Sequence, residues 1–145
     1  MKYWIGVVGS PNTYERFITQ EDGWFCMPKS CEVGDYVVMY ASIKVAGTKK
    51  SGVFGFYQAS NKDESKDGDC RVYGIFSGTG ERPVYVALKL IEKLKLTIPF
   101  ATIQNSPRLS NTTFVRRKFQ ATYFQITESE HKSFIALAKQ VNLPA

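Results

Sequence analysis

Residues 114–119, "FVRRKF", set Arg116, Arg117 and Lys118 between Phe114 and Phe119. Cations interleaved with aromatic rings suit a polynucleotide, because the cations meet phosphates and the rings meet base faces. The same letters also describe a solvated charge run ahead of a strand. Lys44, Lys49 and Lys50 fall in a polar turn, where they offer further phosphate contacts or are simply solvated. A second concentration lies at residues 23–31, "GWFCMPKSC", with Trp24, Phe25, Cys26, Met27 and Pro28 in a row and Cys31 just beyond. Such a run can be buried as core, folded around a metal, or used to line a pocket. Trp24, Tyr40, Phe56, Tyr73 and Phe76 form a wider aromatic set shared between core and a barrel mouth.

Other chemistries are poorly served. Cys26, Cys31, Cys70 and His131 lack the C-x2-C knuckle usual for structural zinc. His131 sits on the first turn of a helix among polar neighbours and reads as exposed, and the cysteines read as buried apolar thiols. There is no G-x-S-x-G elbow, and a cysteine without a histidine partner is a weak nucleophile. Asp63, Glu64, Asp67 and Asp69 crowd one polar loop, and Gly78-x-Gly80 is too short for a phosphate loop. A non-enzymatic protein with neither metal nor cofactor is expected.

Composition agrees. The 145 residues suit one domain, 1–145, with 43% hydrophobic and 22% charged residues. Aromatic content reaches 14% and the net charge is +6, with a pI near 9.2, which favours an anionic partner. Three cysteines make a poor disulfide framework and fit a reducing compartment, so a cytoplasmic or nuclear location is expected. The apolar N-terminal run is about one strand long, too short for a signal segment, and no membrane contact is expected.

These residues need elements to position them. Residues 2–8 read as a buried strand, and Ser10-Pro11-Asn12 opens a helix over 13–19 with Phe17 and Ile18 inward. "DGWFCMP" is a short extended piece, and Gly34-Asp35 turns into the strand "YVVMYAS". "VAGTKKSG" then leads to "VFGFYQAS", together a hairpin. Residues 60–70 read as a polar loop, 71–83 as glycine-punctuated irregular chain, and 84–96 alternate as a long amphipathic strand. Short helical turns at 99–110 precede a last strand, "FQATYFQI", and Thr127-x-x-Glu130 is a capping box for a C-terminal helix. Phe134, Leu137, Ala138 and Val141 form its inward stripe. The result is an α+β chain whose five or six mainly antiparallel strands curve into a partial barrel.

In this order, "KYWIGVVGSPNTYERF", "GWFCMPK", "CEVGDYVVMYAS", "SGVFGFYQAS", "RPVYVALKLIEKL", "FVRRKFQ" and "FQITESEHKSFIALAK" resemble an EVE domain along essentially the whole chain. That family is PUA-like and similar to the YTH readers of methylated adenine. Many EVE domains carry a longer W-D-G-V-R-N-Y type segment where this chain has "GWFCMPKSC", so the chain resembles a subgroup with the shorter version. The resemblance implies a PUA-like mixed β-barrel with peripheral helices and an aromatic-walled pocket. Such a pocket accepts one base flipped out of DNA or RNA, such as methylated or hydroxymethylated cytosine or methylated adenine. Carried over by position, Trp24 would be a stacking wall, Ser10 and Asn12 would hydrogen-bond the base edge, and Phe25 and Cys26 would line the pocket. Tyr73 and Phe76 would form the opposite wall, while Arg116, Arg117 and Lys118 would hold phosphates. A nuclease or other effector protein is an implied partner, and the oligomeric state is left open. The alternatives are a general RNA-binding PUA-like domain without modification preference, an enzyme on modified nucleotides, or a module that meets a protein through its aromatic surface.

Overall fold

The first strand of the computed structural model, which describes residues 1–64 and 83–143, already shows the two-sided character of the fold. β1 (Tyr3–Val8) sends Trp4 and Val8 into one apolar cluster and Ile5 into another, with Val7 packed on the second. A strand covered on both faces reads as a continuous apolar run, not an alternation. β3 (Tyr36–Ala41) is another such run and lies parallel to β1, from Tyr3 opposite Tyr36 to Val8 opposite Ala41. All other pairings are antiparallel: β6 (Tyr123–Ile126) on β1, β4 (Gly52–Asp63) on β3, β5 (Pro83–Ile98) on β4, and β2 (Gly23–Pro28) on β5. The six described strands form one sheet in the order β2-β5-β4-β3-β1-β6.

This sheet curls strongly. Register shifts interrupt β3–β4 once and β4–β5 three times, and each bulge bends and twists its strand. Three strands separate β2 from β1 in the hydrogen-bonded order, yet they touch. A Cβ added at Gly6 on β1 would stand 3.1 Å from the Phe25 ring of β2 and 2.7 Å from the Met39 sulfur. Glycine at position 6 is what lets the roll close this far. Trp4, Phe25, Met27, Met39, Phe54, Tyr57, Val86 and Tyr123 fill the inside, contributed by all six strands. α1 (Pro11–Gln20) covers this interior with Phe17, whose ring meets Tyr57 edge-on at 5.4 Å. On the outer face, α3 (Phe100–Gln104), α4 (Thr113–Arg116) and α5 (Glu128–Val141) bring Ile103, Phe114 and Phe134 against Ile5, Val38 and Phe56. A four-residue helix, α2 (Ile43–Ala46), interrupts the β3–β4 connection. None of the described helices is long and apolar enough to cross a membrane.

One carboxylate aligns the parallel pair. Asp35, 2% exposed, accepts hydrogen bonds from the Trp4 indole N–H at 3.0 Å and from the backbone N–H groups of Lys2 and Glu32, each at 2.9 Å. The capping box at Thr127 and Glu130 forms as expected, with both reciprocal bonds present.

Three expectations are corrected. β4 runs on through Asp63, so the polar segment begins as strand, while Asp67, Asp69, Cys70 and Gly78-x-Gly80 lie outside the described residues. Cys26 is disulfide-bonded, not a thiol; Cys31 is a buried thiol, and burial together with the Asp35 charge pushes it up to about 12. His131 is buried, not exposed, because the stripe 131, 134, 138 of α5 rolls onto the sheet. Its ring packs 5.0 Å from Tyr3, 5.6 Å from Tyr36 and 6.0 Å from Phe56.

Removing the Asp35 carboxylate strands three N–H donors, each costing about 1–3 kcal/mol when buried. Asp35→Ala is therefore expected to lower stability by roughly 3 kcal/mol or more in urea unfolding; a loss below about 1 kcal/mol would show that water replaces the carboxylate. Burial lowers the His131 pKa against an opposing pull from Glu128. The unfolded chain then takes up the proton first as pH falls below about 6.5, so this contribution is full above that value and lost as pH falls through the folded pKa. His131→Gln should flatten the fall in urea midpoint between about pH 7.5 and about pH 5; an unchanged slope would place the dependence elsewhere.

Candidate functional site

Because β1 and β3 run parallel and in register, both strands end on the same side of the sheet. A cavity of about 880 Å³ opens there. The end of β1 gives Val7, Val8, Gly9 and Ser10, and α1 gives Thr13 and Arg16. The end of β3 gives Tyr40 and Ser42, and α2 gives Lys44. Across the opening stand Trp24, Phe25 and Cys26 of β2, Tyr85 of β5, Phe100, and the turn from Lys118 to Thr122.

Six of the described lining residues are aromatic. Trp24 keeps 39% of its surface exposed, unlike the fully buried Trp4, and meets Tyr85 edge-on at 6.5 Å and 77°. Its neighbour Phe25 is 5% exposed and belongs to the barrel interior, as strand alternation requires. On the other wall Tyr40 and Phe119 stack at 3.9 Å and 5°, and Phe100 meets Phe119 edge-on at 6.0 Å. Burial pushes the Tyr40 phenol up, so it stays protonated and able to donate at neutral pH.

The polar lining has one sign of charge. Arg16, Lys44 and Lys118 are its charged members, and no carboxylate joins them among the described residues. A cleft with low-dielectric walls and cations alone raises the local concentration of anions. Ser10 caps α1: its Oγ accepts the Thr13 N–H at 3.2 Å, and its hydroxyl donates to Thr13 Oγ1 at 3.0 Å. That leaves acceptor capacity on the Ser10 oxygen, and Thr13 stands beside it as a second hydroxyl.

The turn that carries Lys118 is strained. Lys118 and Phe119 have φ of 52° and 56°, the left-handed region that non-glycine residues rarely occupy. It is over-determined by its surroundings. The Lys118 N–H donates to Val115 O, the Phe119 N–H to Phe114 O and the Gln120 N–H to Arg117 O, at 2.9, 2.9 and 3.0 Å. Phe119 is 3% exposed on its Tyr40 stack.

Of the residues singled out in the sequence, Ser10, Trp24, Phe25, Cys26, Tyr40, Lys44, Lys118 and Phe119 come together at this cavity. Asn12 is exposed on the first turn of α1 and does not line it. Arg116 and Arg117 are exposed on the approach to the turn, outside the lining. Tyr73 and Phe76 lie outside the described residues. Sequence reasoning passed over Thr13, Arg16, Ser42, Tyr85, Phe100, Gln120 and Thr122. Most carry no local signal; Arg16 stands one helical turn beyond Thr13, on the same face of α1.

A family model described as the EVE domain matches residues 2–137. The chain belongs to the EVE domain family. Solved structures share this fold at low identity. A Leishmania major protein is 14% identical with a TM-score of 0.68, covering 97% of this chain and 96% of its own. A Pseudomonas syringae protein is 11% identical with a TM-score of 0.69, covering 94% and 99%. Human THYN1, solved in complex with DNA containing 5-methylcytosine, is 12% identical with a TM-score of 0.63, covering 96% and 98%. No curated protein sequence matches the chain. The EVE domain is thus the α+β, PUA-like curled sheet that its sequence implied.

The strain in this EVE domain can be measured. Glycine adopts positive φ freely, whereas another residue there costs of order 1 kcal/mol or more. Lys118→Gly is expected to match the parent in urea unfolding or exceed it by up to about 1 kcal/mol. A loss of about 1 kcal/mol or more would show that Lys118 contacts hold the turn instead.

Proposed function

We propose that this EVE domain is a binding module that accepts a single nucleobase, flipped out of DNA or RNA, and reads a small modification on it. The observation that carries this reading is Trp24, a tryptophan left 39% exposed beside an aromatic cavity whose charged members among the described residues are all cations. The volume of about 880 Å³ lies within the range of small-ligand sites and exceeds what one base needs, leaving room for its sugar and phosphate. The described lining offers hydroxyls, an amide and cations, with no carboxylate or imidazole to move a proton, which favours binding over catalysis. The complex of THYN1 with 5-methylcytosine-containing DNA supports a modified cytosine as the first ligand to test.

Energetics define the roles. Extruding a base costs a few kcal/mol, and each stacking contact returns about 1–3 kcal/mol. Trp24 would supply one such contact, with the Tyr40–Phe119 stack as the other wall. Burying one methyl is worth only about 0.8 kcal/mol, a factor of about four. Larger selectivity needs the base edge to be read by polar groups, and Ser10, Thr13, Ser42, Gln120 and the Tyr40 phenol stand at the cavity for this. Lys118, with Arg116 and Arg117 just before it on the chain, would hold the phosphates.

Fluorescence anisotropy with short DNA and RNA strands tests this, each strand carrying cytosine, 5-methylcytosine, 5-hydroxymethylcytosine, adenine or N6-methyladenine at one position. One modified base is expected to bind at least about fourfold more tightly than its parent. Trp24→Ala should weaken that binding roughly 5- to 150-fold with an unchanged melting temperature. Equal affinity for all strands with a steep salt dependence would identify a general nucleic-acid binder instead, and absence of binding would sink the reading.

A further inference from the structure

A second hollow, of about 330 Å³, lies beside Trp24, and Trp24 and Arg16 line both. The hollow exists for a reason of register. Trp24 on β2 stands opposite Ala87 on β5, so the cross-strand neighbour is a methyl group that leaves the indole uncovered there. Gln20 and Asp22 from the end of α1 and Ser60 of β4 complete its polar rim, and Leu88 gives it an apolar base.

Its chemistry differs from that of the main cavity. Asp22 brings a carboxylate, which would repel a phosphate but accepts hydrogen bonds from amino groups. One oxygen, Oδ1, already accepts the Leu90 N–H at 2.8 Å, while Oδ2 has no donor among the described residues. The Ser60 hydroxyl is given to the Ala87 carbonyl at 3.3 Å, so its oxygen remains an acceptor. Gln20 offers an amide with both a donor and an acceptor. An indole face, a carboxylate acceptor and an amide match the face and edge of a base. They do not match a phosphate.

We infer that this hollow binds the nucleobase next to the flipped one, stacked on Trp24 and read at its edge by Asp22 and Gln20. The inference rests on the proposed reading of the main cavity. Arg16, shared by both hollows, is placed to meet the phosphate linking the two nucleotides. A carboxylate accepts from the exocyclic amino groups of cytosine, adenine and guanine, whereas thymine and uracil present carbonyl oxygens there. The site therefore selects against thymine or uracil at one neighbouring position, and Trp24 serves two bases at once.

The test uses single-stranded DNA with one central 5-methylcytosine and A, C, G, T or an abasic site at the position on either side of it. Affinities are read by anisotropy for the parent, Asp22→Asn and Gln20→Ala. On one side only, an abasic neighbour is expected to weaken the parent about tenfold, and thymine to bind about tenfold weaker than the best amino-bearing base. Asp22→Asn keeps an oxygen for the Leu90 N–H, so its melting temperature should stay unchanged while the discrimination shrinks to within about twofold. The inference is overturned if the parent still prefers 5-methylcytosine over cytosine but is indifferent to both neighbours, or if Asp22→Asn and Gln20→Ala both leave the neighbour preference intact. Absence of binding to every strand overturns the base-pocket reading and this one together.

Discussion

The buried Asp35 carboxylate is the constraint on which the remainder of the molecule depends. It accepts from the Trp4 indole and from two backbone N–H groups, one before β1 and one before β3. A parallel pair has no hairpin turn to set its register, so something else must fix where the two strands start. Here a single charged acceptor does so. The same turn also exchanges bonds with β4, through the Gly34 N–H to Ala59 O and the Ala59 N–H to Asp35 O, both at 2.8 Å. Strands aligned at one end finish together at the other, at Val8 and Ala41, and there the cavity opens. The site is therefore placed by a hydrogen-bond cluster at the opposite end of the strands.

Around the cavity, stability has been exchanged for geometry. Two consecutive left-handed residues cost free energy that a glycine would spare, and the Tyr40–Phe119 stack holds them in place. A tryptophan with 39% of its surface in water forgoes part of its burial energy. Cations gathered with no carboxylate among the described lining repel one another. Each of these departures from a relaxed fold sits on one rim of the cavity.

The sequence showed much of this and hid the remainder for physical reasons. β1 and β3 were legible because the runs "YWIGVV" and "YVVMYA" fit a doubly covered strand, β5 because residues 84–96 alternate, and the Thr127 box announced α5. Trp24 was legible as a cavity residue only through family resemblance, since Trp4 is the same residue type on a similar strand and is wholly buried. His131 was misread because its helical stripe is judged from apolar letters, and an imidazole among polar neighbours breaks the pattern although aromatic rings accept it. The parallel alignment of β1 and β3 left no local trace, so Tyr40 and Ser42 could not be brought to Ser10. Arg16 and Asp22 escaped because residues that share a hollow with them lie far along the chain.

Gly6 carries a consequence for how the rim can move. Its missing side chain admits the Phe25 ring against β1, and Phe25 is covalently adjacent to Trp24. One residue is wedged into the barrel while the next forms the cavity wall. The wall therefore cannot swing outward without withdrawing a buried phenylalanine from its socket. Its orientation is set when the chain folds, so a ligand arrives at a finished surface and spends little of its binding energy on ordering it. By the same coupling, position 6 governs the shape of a site it never touches.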